Sequence, residues 1–140
     1  MEEVDKAWSA GFLDGEGHIS LVAQRRFPGS YSLVVAAYNT NKAPIDKLVD
    51  LFGGNILLRD SLHPREAPWW RWALYGRKAY GFLLEIEPYC IEKAPQIELA
   101  KEFYEVFTRH PNKWHPLTDV EKERRQKIHA KFKELNRRGR

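Results

Sequence analysis

Ser9-Ala10-Gly11-Phe12-Leu13-Asp14-Gly15-Glu16-Gly17 is the stretch from which the rest of the chain can be laid out. It overlaps a segment, 3–14 (EVDKAWSAGFLD), that reads as a short helix with Glu2, Glu3 and Asp5 about its first turn, the charge its dipole favours there. Gly15 and Gly17 end it. Ala7, Gly11 and Gly15 recur every fourth residue with Ala10 beside them, so one face is nearly bare backbone, while Trp8, Phe12 and Leu13 lie elsewhere. Gly inside a helix costs roughly 1 kcal/mol relative to Ala. Gly11 therefore needs a compensating contact, and close approach of a second helix supplies one. That helix belongs either to the same subunit or to a second copy.

Glu16 follows the helix at the negative end of its dipole, where a carboxylate is disfavoured unless a cation compensates it, and Asp14 adds a negative charge nearby. If the small-residue faces of two copies meet on a two-fold axis, two Glu16 side chains converge there as a hard oxygen site suited to Mg²⁺. Such a pair could serve one phosphodiester bond on each strand of a duplex. The plainer alternative is a solvated carboxylate in a turn.

Working outward, 18–26 and 31–40 read as strands joined at Phe27-Pro28-Gly29-Ser30, with His18, Ser20, Gln24 and Arg26 alternating against Ile19, Leu21 and Ala23. From Pro44, an N1-type proline, 44–52 places Ile45, Leu48, Val49 and Phe52 on one helical stripe, ended by Gly53-Gly54. Strands over 55–62 and 69–75 flank a turn at 63–68, and helices follow over 77–87 and 95–108. After a loop at 110–117, Thr118-Asp119-Val120-Glu121 forms a capping box that opens a charged helix, 118–138. The order α-ββ-α-ββ-α with extra C-terminal helices predicts an α+β fold around a curved four-stranded antiparallel sheet. Its length suits one domain, 1–140, with a core over about 3–108.

The composition, 43% apolar and 30% charged with 5 Trp, 6 Tyr and 7 Phe, can fill a core without disulfides. Cys90 is the lone cysteine and no apolar run has the length of a membrane span, which predicts a soluble, intracellular protein that engages no membrane. Net charge is +4, but 109–140 carries 11 Lys/Arg against 4 Asp/Glu, so the basic charge sits at the C-terminus. Lys127, Lys131, Arg124 and Arg138 there could grip phosphates, adding affinity without sequence information; the alternative is a solvated helix face. His110, His115 and His129 lack the spacing and the cysteine partners of a zinc site.

The stretch 9–17 resembles the signature of the LAGLIDADG homing endonucleases, and the element order is similar to that family's core. Ile45-Asp46-Lys47-Leu48-Val49-Asp50 with Gly53-Gly54, then Gly76-Arg77-Lys78, then Glu87-Pro88-Tyr89 followed by Lys93, resemble the family's later landmarks in the right order. A single motif resembles the homodimeric branch. The resemblance implies that the motif helices form the dimer interface, here through Ala7, Ala10, Gly11 and Asp14. It also implies that Glu16 binds the divalent metal, Mg²⁺ with Mn²⁺ as a substitute. Two positions depart from the usual pattern: Ser9 stands where Leu is usual, on what is expected to be a helix surface, and Glu16 where Asp is commoner, lengthening the ligand arm by a methylene. Asn41 matches a position that orders water near the scissile phosphate, and Lys93 one that stabilises phosphate charge, both apt for hydrolysis. Lys42 could instead contact the DNA backbone.

An antiparallel sheet of this kind can lie in the major groove of double-stranded DNA. The candidate reading face carries Ser20, Val22, Gln24 and Arg26 on the first strand, and Ser32, Val34, Ala36 and Tyr38 on the second. The fourth strand contributes Arg71, Ala73 and Tyr75, and the third contributes Arg59 and Ser61, or Leu58 and Asp60 if its register slips by one. Arg26 or Arg71 suits guanine, Gln24 adenine, and Val22, Val34 or Ala36 thymine methyl groups. The alternative is a face that meets only water. The function expected is therefore a Mg²⁺-dependent DNA endonuclease, acting as a homodimer on a long pseudo-palindromic site and taking no small-molecule substrate. The competing readings are a non-cleaving DNA regulator or RNA-splicing maturase on the same fold, and a purely structural homodimer.

Overall fold

The computed structural model describes residues 1–26, 29–59, 65, 67–108 and 118–138. In chain order these form α1 (Glu3–Glu16), β1 (Gly17–Ala23), β2 (Tyr31–Asn39), α2 (Lys42–Phe52), β3 (Asn55–Arg59), β4 (Trp69–Tyr75), α3 (Gly76–Ile86), a 3-10 turn (Glu87–Tyr89), α4 (Ala94–Thr108) and α5 (Asp119–Arg138). All pairings are antiparallel, in the spatial order β1-β2-β4-β3. The fold class is α+β, as the element order predicts.

The alternation along the strands divides the sheet. Ile19, Leu21, Leu33, Val35, Ala37, Trp72 and Leu74 belong to the buried cluster, together with Leu13 of α1, Ile45 and Leu48 of α2, and Phe82, Leu83 and Ile86 of α3. Trp72 is its largest fully buried side chain and is held on three sides. Phe52 and Phe82 lie against its ring at 6.4 and 5.2 Å, and its indole N–H donates to the Gly53 carbonyl at 2.7 Å, which satisfies the one polar atom of that ring. Gly54 permits this closeness, because a Cβ there would stand 2.8 Å from both the Ala73 carbonyl and the Trp72 nitrogen, and its φ of 100° is left-handed.

Several boundaries differ from the sequence expectation. α1 continues through Gly15 and Glu16, and β1 begins at the next residue. β1 stops at Ala23 instead of reaching Arg26, so Gln24, Arg25 and Arg26 belong to the connection. α2 begins at Lys42, capped by Asn41, whose side-chain oxygen accepts from the Ala43 N–H at 3.1 Å. Pro44 is thus its third residue, still in the first turn, where a missing N–H is harmless. The capping box opens α5 one residue later than expected: the Glu121 N–H donates to the Thr118 hydroxyl, which donates to the Glu121 carboxylate. The turn at 27–28, most of the turn at 63–68, the loop at 110–117 with His110 and His115, and Ser61 and Asp60 lie outside the described residues. So does the side chain of Arg138.

α5 is more than a solvated basic tail. Ile128 and Phe132 enter the core beside Phe103 of α4, and the Asn136 amide donates to the Ile19 carbonyl at 3.0 Å along the otherwise unpaired edge of β1. Covering an edge strand in this way removes a template for unwanted pairing.

Candidate functional site

Glu16 stands at a direct helix-to-strand junction. Its neighbour Gly17 sits so close to Leu13 that a Cβ would come within 2.6 Å of the Leu13 carbonyl oxygen, so the junction admits only glycine without rearrangement. The Gly17 N–H donates to that carbonyl and closes α1. The Glu16 side chain is exposed and opens into a cleft of about 710 Å³ that Tyr38, Asn39, Thr40 and Trp69 also line.

Asp14, two residues earlier, turns the other way. Its carboxylate accepts the Ile91 N–H at 2.8 Å and the Lys93 N–H at 3.0 Å, and so fastens the segment that opens α4 to the end of α1. Two amide donors beside the positive end of α4 compensate its charge. The neighbouring Cys90 thiol is pushed up to about 12, by burial first and then by the charge and hydrogen bond of Asp14.

The motif helix is split between its faces. Ser9, Ala10 and Leu13 are buried in the chain's own core. Ala10, expected at a subunit interface, is 0% exposed and packs within the chain. Asp14, half-buried, makes the intrachain clamp to residues 91 and 93. Ser9, expected on a helix surface, is buried as well, its hydroxyl satisfied by the Asp5 carbonyl at 2.7 Å. The exposed stripe is Val4, Ala7, Gly11 and Gly15, and a Cβ added at Gly11 or Gly15 would meet nothing within 4 Å.

On the sheet, the pairings Ser20↔Val34, Val22↔Ser32, Ala36↔Ala73, Tyr38↔Arg71 and Val34↔Tyr75 put all these residues on the face away from the core cluster. β3 joins in the register that favours Arg59, which pairs with Trp69; Leu58 pairs with Trp70 and shares the other face. Sequence reasoning missed Trp69, Leu57 and Asn55 on the outer face, although the alternation that selects Arg71 and Arg59 reaches each of them.

The face is not uniformly open. Val34, Ala36 and Ala73 are 7%, 1% and 1% exposed, so they form its floor and are out of direct reach of a ligand, which corrects their assignment as contact residues. Above them the Arg71 guanidinium donates to the Tyr38 and Tyr75 hydroxyls at 3.4 and 3.1 Å, and Tyr38 meets Trp69 edge to face at 5.3 Å. Burial works against the Arg71 charge, but the hydrogen bonds to Tyr75 and Tyr38 outweigh it and its pKa is raised. Ser20 and Ser32 are half-buried on the same face; Val22 and Arg59 are exposed there, and Gln24 and Arg26 are exposed at the hairpin.

The remaining candidates lie apart. Asn41 is exposed but spends its side-chain oxygen on the α2 cap and does not line the Glu16 cleft, whereas Asn39 and Thr40 do. Lys93 is half-buried, held by its own backbone at the end of α1. Lys42 lies with its ammonium over Trp70 at 5.0 Å and near Asp46 at 3.6 Å. Among the described residues no three His, Cys, Asp or Glu side chains converge, so a chain by itself brings one free carboxylate to the cleft. A single carboxylate fits Mg²⁺, which commonly takes one or two with water and phosphate oxygens completing the octahedron. No helix among the described residues is long and apolar enough to cross a membrane.

No protein-family model and no curated protein matches the sequence. Solved structures do. An archaeal intron-encoded homing endonuclease, I-Vdi141I, complexed with DNA, superposes with TM-score 0.72 at 17% identity, over 96% of this chain and 86% of that one. The homing endonuclease I-TnaI superposes with TM-score 0.59 at 17% identity, over 96% and 97%. The I-SmaMI LAGLIDADG homing endonuclease bound to cleaved DNA superposes with TM-score 0.63 at 17% identity, over 94% of this chain but 48% of that one. At these identities the likeness is one of fold.

Proposed function

We propose, from the premise that this chain carries the fold of the LAGLIDADG homing endonucleases, that it is a site-specific, metal-dependent endonuclease of double-stranded DNA, active as a pair of chains. The observation that carries the reading is the position of Glu16: an exposed carboxylate fixed at the α1–β1 junction, opening into a cleft walled by the aromatic end of the outer sheet face. A carboxylate beside a polyanion is repelled unless a cation lies between them.

The same helix supports the pairing. Val4, Ala7, Gly11 and Gly15 leave a smooth exposed strip that ends beside Glu16, and two copies laid strip to strip bring two Glu16 side chains together. The length relations agree with this, since the chain corresponds to about half of I-SmaMI but to nearly all of I-TnaI.

In the complex, Tyr75, Arg71 and Arg59, with Val22, Ser20 and Ser32, face the major groove, and Gln24 and Arg26, exposed in the β1–β2 connection, extend the contact. Glu16 would hold Mg²⁺, for which Mn²⁺ would substitute, and the bound ion would supply Lewis-acid chemistry for phosphodiester hydrolysis. Lys93 supplies positive charge to the developing phosphorane, positioned through the Asp14 clamp. Asn39 and Thr40, in the cleft itself, orient the attacking water, with Asn41 shaping that loop as the cap of α2.

The test is selection from a randomised duplex library. The purified protein with Mg²⁺ should enrich one pseudo-palindromic family of sequences and cut both strands, and chelation should stop cutting while leaving the complex intact. Enrichment of a bound sequence that is never cut in Mg²⁺ or Mn²⁺ points instead to a binder on this fold.

A further inference from the structure

We infer that α5 carries a second DNA contact, a sequence-independent phosphate track along the flank that faces the β1 edge of the sheet; this rests on the duplex-DNA reading above. From Lys122 to Asn136, α5 runs antiparallel to β1. Near its start Lys122 lies against Gly29 of the β1–β2 connection, whose added Cβ would stand 3.0 Å from the lysine Cγ. Midway, His129 meets Tyr31 at 4.7 Å and bonds the Leu21 backbone, and near its end Asn136 reaches Ile19. The helix therefore follows the sheet edge from the hairpin tip back towards the end that carries Glu16.

Arg125, Ile128 and Phe132 face inward. One step around the helix, Lys122, Gln126, Lys133 and Arg137 share a stripe at i, i+4, i+11 and i+15, which carries one acidic residue, Asp119, at its start in the first turn of α5. Gln126, Lys133 and Arg137 are exposed, and Arg25 and Arg26, exposed at the hairpin, continue the charge past the tip. At 1.5 Å per residue the stripe spans roughly 22 Å, enough to follow several successive phosphates of one strand. The opposite flank differs, because Lys127 pairs with Glu123 at 3.5 Å and Arg124 with Glu105 at 3.8 Å. Continuity with the proposed reading face and the excess of positive charge, three basic residues on the stripe against one acidic, both point to the DNA backbone as occupant.

The test compares two charge-matched triple variants, Lys122→Gln/Lys133→Gln/Arg137→Gln on the track and Arg124→Gln/Lys127→Gln/Lys131→Gln on the opposite flank. Binding of a long random-sequence duplex and of the selected target is measured across a salt series. The track variant should bind both DNAs on the order of tenfold more weakly or worse, with their affinity ratio kept. Its plot of log K against log salt should be shallower by about 0.9 for each phosphate that the variant no longer neutralises. Lys133→Gln alone, a lone surface change, should remove about one phosphate's share of that slope. An unchanged slope in the track variants, while wild type binds duplex normally, overturns the track alone; so does an equal loss from the opposite flank. Wild type that shows no salt-dependent binding to any duplex removes the DNA reading and the track together. Tighter binding of structured RNA than of duplex, abolished in the same variant, would reassign the partner.

Discussion

Gly17 sets the geometry on which the proposed site depends, and the reason is steric: the Leu13 carbonyl and side chain occupy the space of any Cβ. Gly17→Ala should therefore cost on the order of 1–3 kcal/mol as overpacking does, read as a melting temperature lowered by roughly 3–10 °C. An unchanged melting curve would mean that the junction relaxes freely. Cys90 gives a second check at this scale. With its thiol pushed up to about 12 by burial and by Asp14, it should resist alkylation at neutral pH in the folded protein and react after denaturation. Fast stoichiometric labelling of the native chain would contradict the Asp14 clamp. Individual residues were the least legible part of the sequence. Glu16 stood out because a carboxylate at a helix C-terminus needs a reason, but nothing local reveals that Ser9 and Ala10 turn inward or that Asp14 reaches residues 91 and 93, since those contacts depend on elements far along the chain.

At the scale of elements, α1 separates its inner and outer faces cleanly enough to test pairing without disturbing folding. A Cβ at Gly11 meets nothing in the chain, so Gly11→Leu should leave the melting of a single chain intact. Wild type should sediment as the proposed dimer and Gly11→Leu as a monomer; a dimer that survives the change would place the interface elsewhere. α5 carries a pH dependence. Burial first, then the charge of Lys133, hold His129 below its ordinary range, with the Leu21 backbone bond acting in the opposite direction. The unfolded chain thus takes up this proton more readily, so stability is full above about pH 6.5 and falls as pH drops below it. Amide exchange in α5, corrected for intrinsic rates, should accelerate on acidification, and His129→Gln should flatten that response. Element positions were largely readable: β4 spans the expected residues, and the 3.6-residue stripe of α2 is the one that faces the core. Boundaries slipped where a polar cap or a turn outweighed periodicity, as at Asn41, which starts α2 two residues before Pro44, and at Gln24, where β1 has already ended.

For the whole molecule, the element order predicts the architecture, while the sheet order β1-β2-β4-β3 emerges only from packing α1, α2 and α3 on one face. Strand parity identified the outer face, but parity says nothing about depth. Val34, Ala36 and Ala73 are buried beneath the layer of Tyr38, Arg71 and Tyr75, so in the proposed complex the upper layer is the one that would meet DNA. The central claim joins that face to Glu16 in a paired assembly, and Glu16→Gln probes it with a near-isosteric change that removes the charge. On a supercoiled plasmid bearing the selected target, in Mg²⁺, wild type should give linear product. The variant should bind the same DNA with comparable affinity and cut it at least about a thousandfold more slowly, the loss expected when a metal-holding charge is removed. Cleavage by Glu16→Gln at the wild-type rate would contradict the account.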